Sequence, residues 1–188
     1  MEEMLHSGLN PDEKVLWRGK PETFETLDKT HKKKFTIALI IGLLITLGIA
    51  AMFIISAQRN GVSAKWGVIV IAAILCGIPT FNILGDASKL RKTEYAVTDQ
   101  RLIILRDSFR GVEFQAIQEA EFRSDPDGHI SLLCGADARK AKPDKWREIC
   151  LIGQNTSEGT NLCTRFVFYA PTDLNGLKTI LKDRLPLK

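Results

Sequence analysis

Charged residues recur every few positions along most of this chain, but two stretches break the pattern. Residues 35–56 and 66–84 run for 22 and 19 positions without Asp, Glu, Lys, Arg or His. At about 1.5 Å per residue each is long enough, as a helix, to cross a hydrocarbon layer about 30 Å thick. Neither run carries the polar stripe that a helix packed on a soluble core needs. A cleaved leader does not fit either, because the first run follows 34 mostly polar residues and a second run comes after it. The pattern therefore predicts a transmembrane hairpin over 35–84, with spans 35–56 and 66–84 joined by an outer loop 57–65.

Flanking charge orients that hairpin. Lys29, Lys32, Lys33 and Lys34 precede the first run and Lys89, Arg91 and Lys92 follow the second, whereas the connecting loop holds only Arg59 and Lys65. Positive residues stay on the cytoplasmic side, so both termini are expected there. Ala38 and Gly42 in the first run, and Ala73 and Gly77 in the second, have the small-xxx-small spacing that lets helix backbones approach closely. They are candidate helix-packing positions, either within the hairpin or against a partner. Pro79 should kink the second span, and with no ionisable group at membrane depth nothing points to an ion or proton path.

Past the second run the period changes. Short β-rich runs at 93–98, 101–106, 111–117, 119–123, 129–134, 145–152 and 164–169 alternate with turn signals such as Asp99-Gln100 and Asp125-Pro126-Asp127-Gly128. From Thr172, a candidate N-cap after Pro171, Leu174, Leu177, Ile180, Leu181 and Leu185 recur at helical spacing. The expected fold class is thus α+β: a membrane hairpin plus about seven antiparallel strands closed by a C-terminal helix. The domain division is 1–34 as a cytoplasmic N-terminal segment, 35–84 as the hairpin and 85–188 as a cytoplasmic domain.

Composition narrows the chemistry. From Asp86 onward 15 acidic side chains face 17 basic ones, a balance that argues against a nucleic-acid partner. His6, His31 and His129 are scattered and the four cysteines form no C-x-x-C pair, so no metal and no cofactor is expected. No phosphate loop, nucleophile elbow or zinc-binding H-E-x-x-H is present, so no catalytic residue is proposed and the chain is read as a non-enzyme. The densest basic segment is 139–147, where Arg139, Lys140, Lys142, Lys145 and Arg147 surround Trp146. Read as an inter-strand loop, it is the candidate contact for anionic lipid or a partner, although a solvated loop has the same composition.

Two motifs flank the hairpin: Leu9-Asn10-Pro11-Asp12-Glu13-Lys14-Val15-Leu16-Trp17-Arg18-Gly19-Lys20-Pro21 before it, and Tyr95-Ala96-Val97-Thr98-Asp99-Gln100-Arg101-Leu102-Ile103 after it. In this order they resemble the bacterial pleckstrin-homology-like (PH-like) domains found in small membrane proteins. The resemblance implies a PH-like β-barrel or sandwich on the cytoplasmic face of a bacterial inner membrane. It also implies a non-catalytic interaction module, an accessory or assembly subunit whose partner is a membrane protein or a second copy, in contact with membrane lipids. Recognition of an anionic lipid or small ligand by the PH-like domain is the alternative. Within the motifs, Thr98 to Arg101 suit a tight turn, Arg101 suits an ion pair with Asp99 or another nearby carboxylate, and Trp17 and Leu16 suit docking of the N-terminal segment on the domain or at the headgroup layer.

Overall fold

The structure, a computed structural model, describes residues 5, 7–60, 85–152, 155–156 and 161–187. The chain divides into two compact units, Met1–Glu25 with Asp86–Lys188, and Thr26–Gly85.

In the first unit β1 (Val15–Gly19), β2 (Glu94–Thr98), β3 (Arg101–Leu105) and β4 (Phe109–Glu113) form an antiparallel sheet in that order. β1 comes from before the apolar region and β2 from after it, yet Val15, Trp17, Arg18 and Gly19 lie opposite Thr98, Val97, Ala96 and Tyr95. The strand period of two sends alternate residues to opposite faces. Tyr95, Val97, Leu102 and Ile104 join the main core, while Ala96, Ile103 and Leu105 form a second cluster with Leu5, backed by Leu9, Val15 and Phe109. Burial of both faces explains why β3 reads as an unbroken apolar run after Arg101.

The second sheet contains β5 (Ala120–Ser124), β6 (Ile130–Cys134) and β8 (Cys163–Phe168), with the two-residue β7 (Asn155–Thr156) added beside β8. Between the sheets Tyr95 stacks on Phe168 with centroids 4.5 Å apart, and Trp17 lies 6.5 Å from the same ring. Of the expected barrel or sandwich, the two antiparallel sheets do not close into a barrel. The seam between the sheets is an isolated bridge, Pro21 opposite Pro171, flanked by hydrogen bonds from Glu22 N–H to the Ala170 carbonyl and from Thr172 N–H to the Lys20 carbonyl. Proline has no N–H to give, so a continuous ladder cannot run through this point.

Other expected strands are shifted or replaced. The run expected at 111–117 is β4 up to Glu113 and then a 3₁₀ turn, Phe114–Ala116. The run expected at 145–152 is not a strand; α3 (Pro143–Ile152) is a helix. Pro143 occupies its first turn, where a missing N–H costs nothing, and buried Trp146, Ile149 and Cys150 are spaced i, i+3, i+4. A shorter helix, α2 (Ala136–Lys140), precedes it. Both α2 and α3 pack against β8. The turn into α2 needs Gly135, whose φ is 89° and whose position would drive a Cβ into the Thr164 carbonyl.

The C-terminal helix, α4 (Leu174–Leu181), is capped by Asp173 rather than Thr172: Asp173 Oδ1 accepts from Gly176 N–H at 3.1 Å. Thr172 Oγ1 instead accepts from Lys20 N–H. Leu177, Leu181 and, beyond the helix, Leu185 are buried. Asp125 to Gly128 form the β5–β6 turn, with Asp125 Oδ1 accepting from the N–H groups of Asp127 and His129 and Gly128 at a φ of 90°.

In the second unit α1 (Lys29–Arg59) is a single helix of 31 residues, about 46 Å long. Asp28 caps it, accepting from His31 N–H at 2.8 Å and meeting His31 Nδ1 at 2.7 Å. Ile37, Leu39, Ile40, Ile41, Leu43, Ile45 and Ile49 point to all sides of the helix and are exposed. Within α1, 31–59 is long and apolar enough to cross a membrane, with a mean hydropathy of 2.8 over its most apolar window and none of that window buried. Among the described residues it is the one such helix. The second expected span, 66–84, with Ala73 and Gly77, lies outside the described residues. A two-helix hairpin is therefore not part of the described fold.

Candidate functional site

The two motifs that flank the apolar region are each other's binding partners. Asn10 to Glu13 form a turn with Pro11 at its second position, closed by Glu13 N–H donating to the Asn10 carbonyl. The Glu13 carboxylate then collects four hydrogen bonds. Its Oε1 accepts from Thr98 Oγ1 at 2.7 Å and Arg101 Nε at 2.8 Å, and its Oε2 accepts from Arg101 Nη2 at 2.6 Å and Asn10 N–H at 3.0 Å. Lys14 and Asp99 add a reciprocal pair: Lys14 N–H donates to Asp99 Oδ1 at 3.0 Å, and Asp99 N–H donates to the Lys14 carbonyl at 3.1 Å. The Arg101 guanidinium also reaches the Gly8 carbonyl and lies 4.9 Å over the Phe109 ring. The Arg101 hydrogen bonds outweigh the desolvation of the buried Glu13 side chain and hold its pKa down at about 2. Arg101 is thus the centre of a structural clasp.

The basic segment 139–147 is not one loop and its cations do not converge. Arg139, on α2, is tied to β5, with Nη1 on Glu119 and Nε on Glu121 Oε2 at 3.0 Å. Lys145 pairs with Glu148 at 2.6 Å. Arg147 is buried, 4.3 Å over the Phe24 ring and 5.1 Å over the Tyr169 ring, and its Nη2 donates to the Tyr169 hydroxyl. Lys140 and Lys142 remain exposed. A helical period explains the scatter, because successive cations on α3 point to different sides.

Sequence reading missed the cluster around Arg147. The Tyr169 hydroxyl donates to Asp125 Oδ2 at 3.2 Å, and Phe24 meets the Tyr169 ring edge-on with centroids 5.7 Å apart. Arg91 Nη2 donates to the Phe24 carbonyl at 3.3 Å, and its guanidinium lies 5.7 Å from the Phe24 ring. This cluster pins the chain just before it leaves the unit at Glu25 to the segment by which it returns. An aromatic residue shortly before a long apolar run, with arginines elsewhere, is the sequence signal that it leaves.

Cys134, Cys150 and Cys163 are buried free thiols, and burial pushes the Cys163 pKa up to about 11 and those of Cys134 and Cys150 upward too. At neutral pH they are protonated and packed as small apolar groups. In this first unit Leu16 and Ile152 are the large apolar side chains left exposed among the described residues. Leu16 lines an open depression of about 590 Å³ with Thr179, Ile180, Asp183 and Arg184, where β1 meets α4.

On α1, Ala38 and Gly42 share one face one turn apart, and Thr46 Oγ1 donates to the Gly42 carbonyl at 2.9 Å. Comparison with known proteins finds no matching family model, no matching curated protein and no matching solved structure.

Proposed function

We propose that this chain is a membrane-anchored, non-catalytic interaction module. A PH-like unit is held at one membrane face by a two-span hairpin and acts as an accessory or assembly subunit of a membrane-protein complex. One observation carries the reading: the segments before and after the apolar region are strands of the same sheet, joined by the β1–β2 register and the Glu13–Arg101 clasp. A chain that crosses a bilayer through α1 must cross back for those segments to fold together, and 66–84 is the run long enough to do so. Both termini then lie on one side, and the flanking lysines favour the cytoplasmic one; a bacterial inner membrane is what the resemblance of the two motifs implies.

The polar chemistry of the first unit supports a binding role. Glu13, Arg101, Arg139, Arg147, Tyr169 and Asp125 are consumed in holding strands and helices together. The open depression lined by Leu16, Thr179, Ile180, Asp183 and Arg184, part apolar and part polar, offers contact area for a protein. Confinement to the membrane raises the effective concentration of such a surface at membrane partners. The order of antiparallel strands ending in an amphipathic helix supports the PH-like assignment. Lipid or small-ligand recognition through 139–147 has only Lys140 and Lys142 left exposed and unpaired by carboxylate in that segment to rest on.

Purification of the full-length protein from native membranes in mild detergent, with a salt wash and mass spectrometry, tests the proposal. The expected result is a stoichiometric membrane-protein partner or a defined homo-oligomer. Recovery of a monomer with only anionic lipid contradicts it and favours the lipid reading.

A further inference from the structure

Resting on the membrane reading above, we infer that the return of the chain across the membrane switches the first unit on. The unit, and the partner surface at Leu16 with it, forms only when the segments before and after the apolar region lie on the same side. The segment before that region is held by both sheets. β1 pairs with β2, and beyond it Lys20 and Glu22 hydrogen-bond to Thr172 and Ala170 at the seam with the second sheet. Trp17 Nε1 also donates at 3.2 Å to Asp173 Oδ2, on the residue that caps α4. Removing this segment opens the edge of β2, takes the Trp17 ring from Phe168 and strips the Arg101 guanidinium of the Glu13 carboxylate.

The partner surface is assembled in the same way. Val15 lies opposite Thr98 and Trp17 opposite Val97, so Leu16 is the extra residue of a β-bulge, and its side chain is exposed. The other residues that line the depression, Thr179, Ile180, Asp183 and Arg184, all follow the apolar region in the sequence. A chain halted after one crossing keeps the two halves of this surface on opposite sides of a hydrocarbon layer about 30 Å thick. Apolar contacts and hydrogen bonds act within about 4 Å. Such a chain presents an incomplete unit without the depression, and recruitment of a partner waits for the second crossing.

The native thiols Cys134, Cys150 and Cys163, buried in the folded unit, report whether it has formed. The whole chain, with Cys76→Ala, is synthesised into sealed lipid vesicles under reducing conditions and treated with N-ethylmaleimide, which crosses membranes. A tag at each end, digested only by protease on its own side, reports where that end lies. In this parent chain both tags should lie on one side, and the three thiols should react at least about 1,000-fold more slowly than in denaturant. Deletion of 66–84 should place the tags on opposite sides and abolish the protection. Replacing 66–84 by 19 alternating leucines and alanines should restore both. Protected thiols in a chain with its tags on opposite sides overturn the inference, as do reactive thiols in the parent or Leu/Ala chain with both tags on one side. Tags on opposite sides in the parent chain, or on one side in the deletion chain, contradict instead the two-crossing reading on which the inference rests.

Discussion

Residues 86–188 produced alone are expected not to fold, whereas the same residues joined through a short Gly/Ser linker to residues 1–25 should give a folded protein. The first strand of the first sheet comes from the N-terminal segment, and β2 without it has an open edge along Tyr95 to Thr98. Leu5, Trp17 and Phe24 are 2%, 7% and 6% exposed. Burial of such side chains contributes about 1.5–3 kcal/mol each, so the three together rival a typical domain stability of about 5–15 kcal/mol. Leu5 matters further because it covers Ala96, Ile103 and Leu105 on the outer face of the sheet. A linker can be short, since Arg91 Nη2 touches the Phe24 carbonyl. Thermal unfolding by circular dichroism distinguishes the two proteins. A fragment 86–188 that unfolds as cooperatively as the linked protein contradicts the shared-sheet account.

The second large effect is expected at the clasp. Glu13→Gln in the linked protein should cost about 3 kcal/mol, because it leaves the largely buried Arg101 guanidinium without its counter-charge. It should also remove an acid-sensitive part of the stability. The Glu13 pKa lies at about 2 in the folded protein against an ordinary value of 4.5. A carboxylate held below its unfolded value contributes in full above pH 4.5, and that contribution is lost as the pH falls from 4.5 toward 2. The difference corresponds to about 3 kcal/mol. Denaturant titrations at pH 7 and at acid pH should show the wild type losing this amount relative to Glu13→Gln. Parallel loss in both proteins would mean that Glu13 does not carry the acid sensitivity.

Much of the fold was legible where one physical signal dominated. The β2–β3 hairpin followed from two β-rich runs around Asp99-Gln100, and β5 and β6 followed from the Pro-Asp-Gly turn between them. Leu177 and Leu181 gave the buried face of α4 through their spacing. Where two signals competed, the weaker one was easily missed. Trp146, Ile149, Cys150 and Ile152 suit a strand by residue type and a helix by spacing, and Pro143 in the first turn favours the helix. β1 is a five-residue strand whose partner lies far along the chain, on the other side of the apolar region. Only Trp17 hinted at it; Trp17 is buried in the unit, whereas Leu16 next to it is exposed.

The candidate site was less legible than the fold for a related reason. Five cations in nine residues look like a patch when the segment is taken as a loop. On α2 and α3 the same cations part company, with Arg139 on Glu119 and Glu121, and Arg147 beneath Phe24. The pairing of Glu13 with Arg101 was legible only as an arginine seeking a carboxylate, because no local rule selects a partner 88 positions away.

The central claim is that the chain enters and leaves the membrane on the same side. It is tested most directly by cysteine accessibility in sealed membrane vesicles of known orientation. In a chain whose four native cysteines are replaced, single cysteines are placed at exposed Asp12, Asn60 and Asp183 and probed with a membrane-impermeant maleimide. The account predicts that Asp12→Cys and Asp183→Cys react from one face and Asn60→Cys from the other. Reaction of Asp12→Cys and Asp183→Cys from opposite faces, or of all three from the same face, would contradict it.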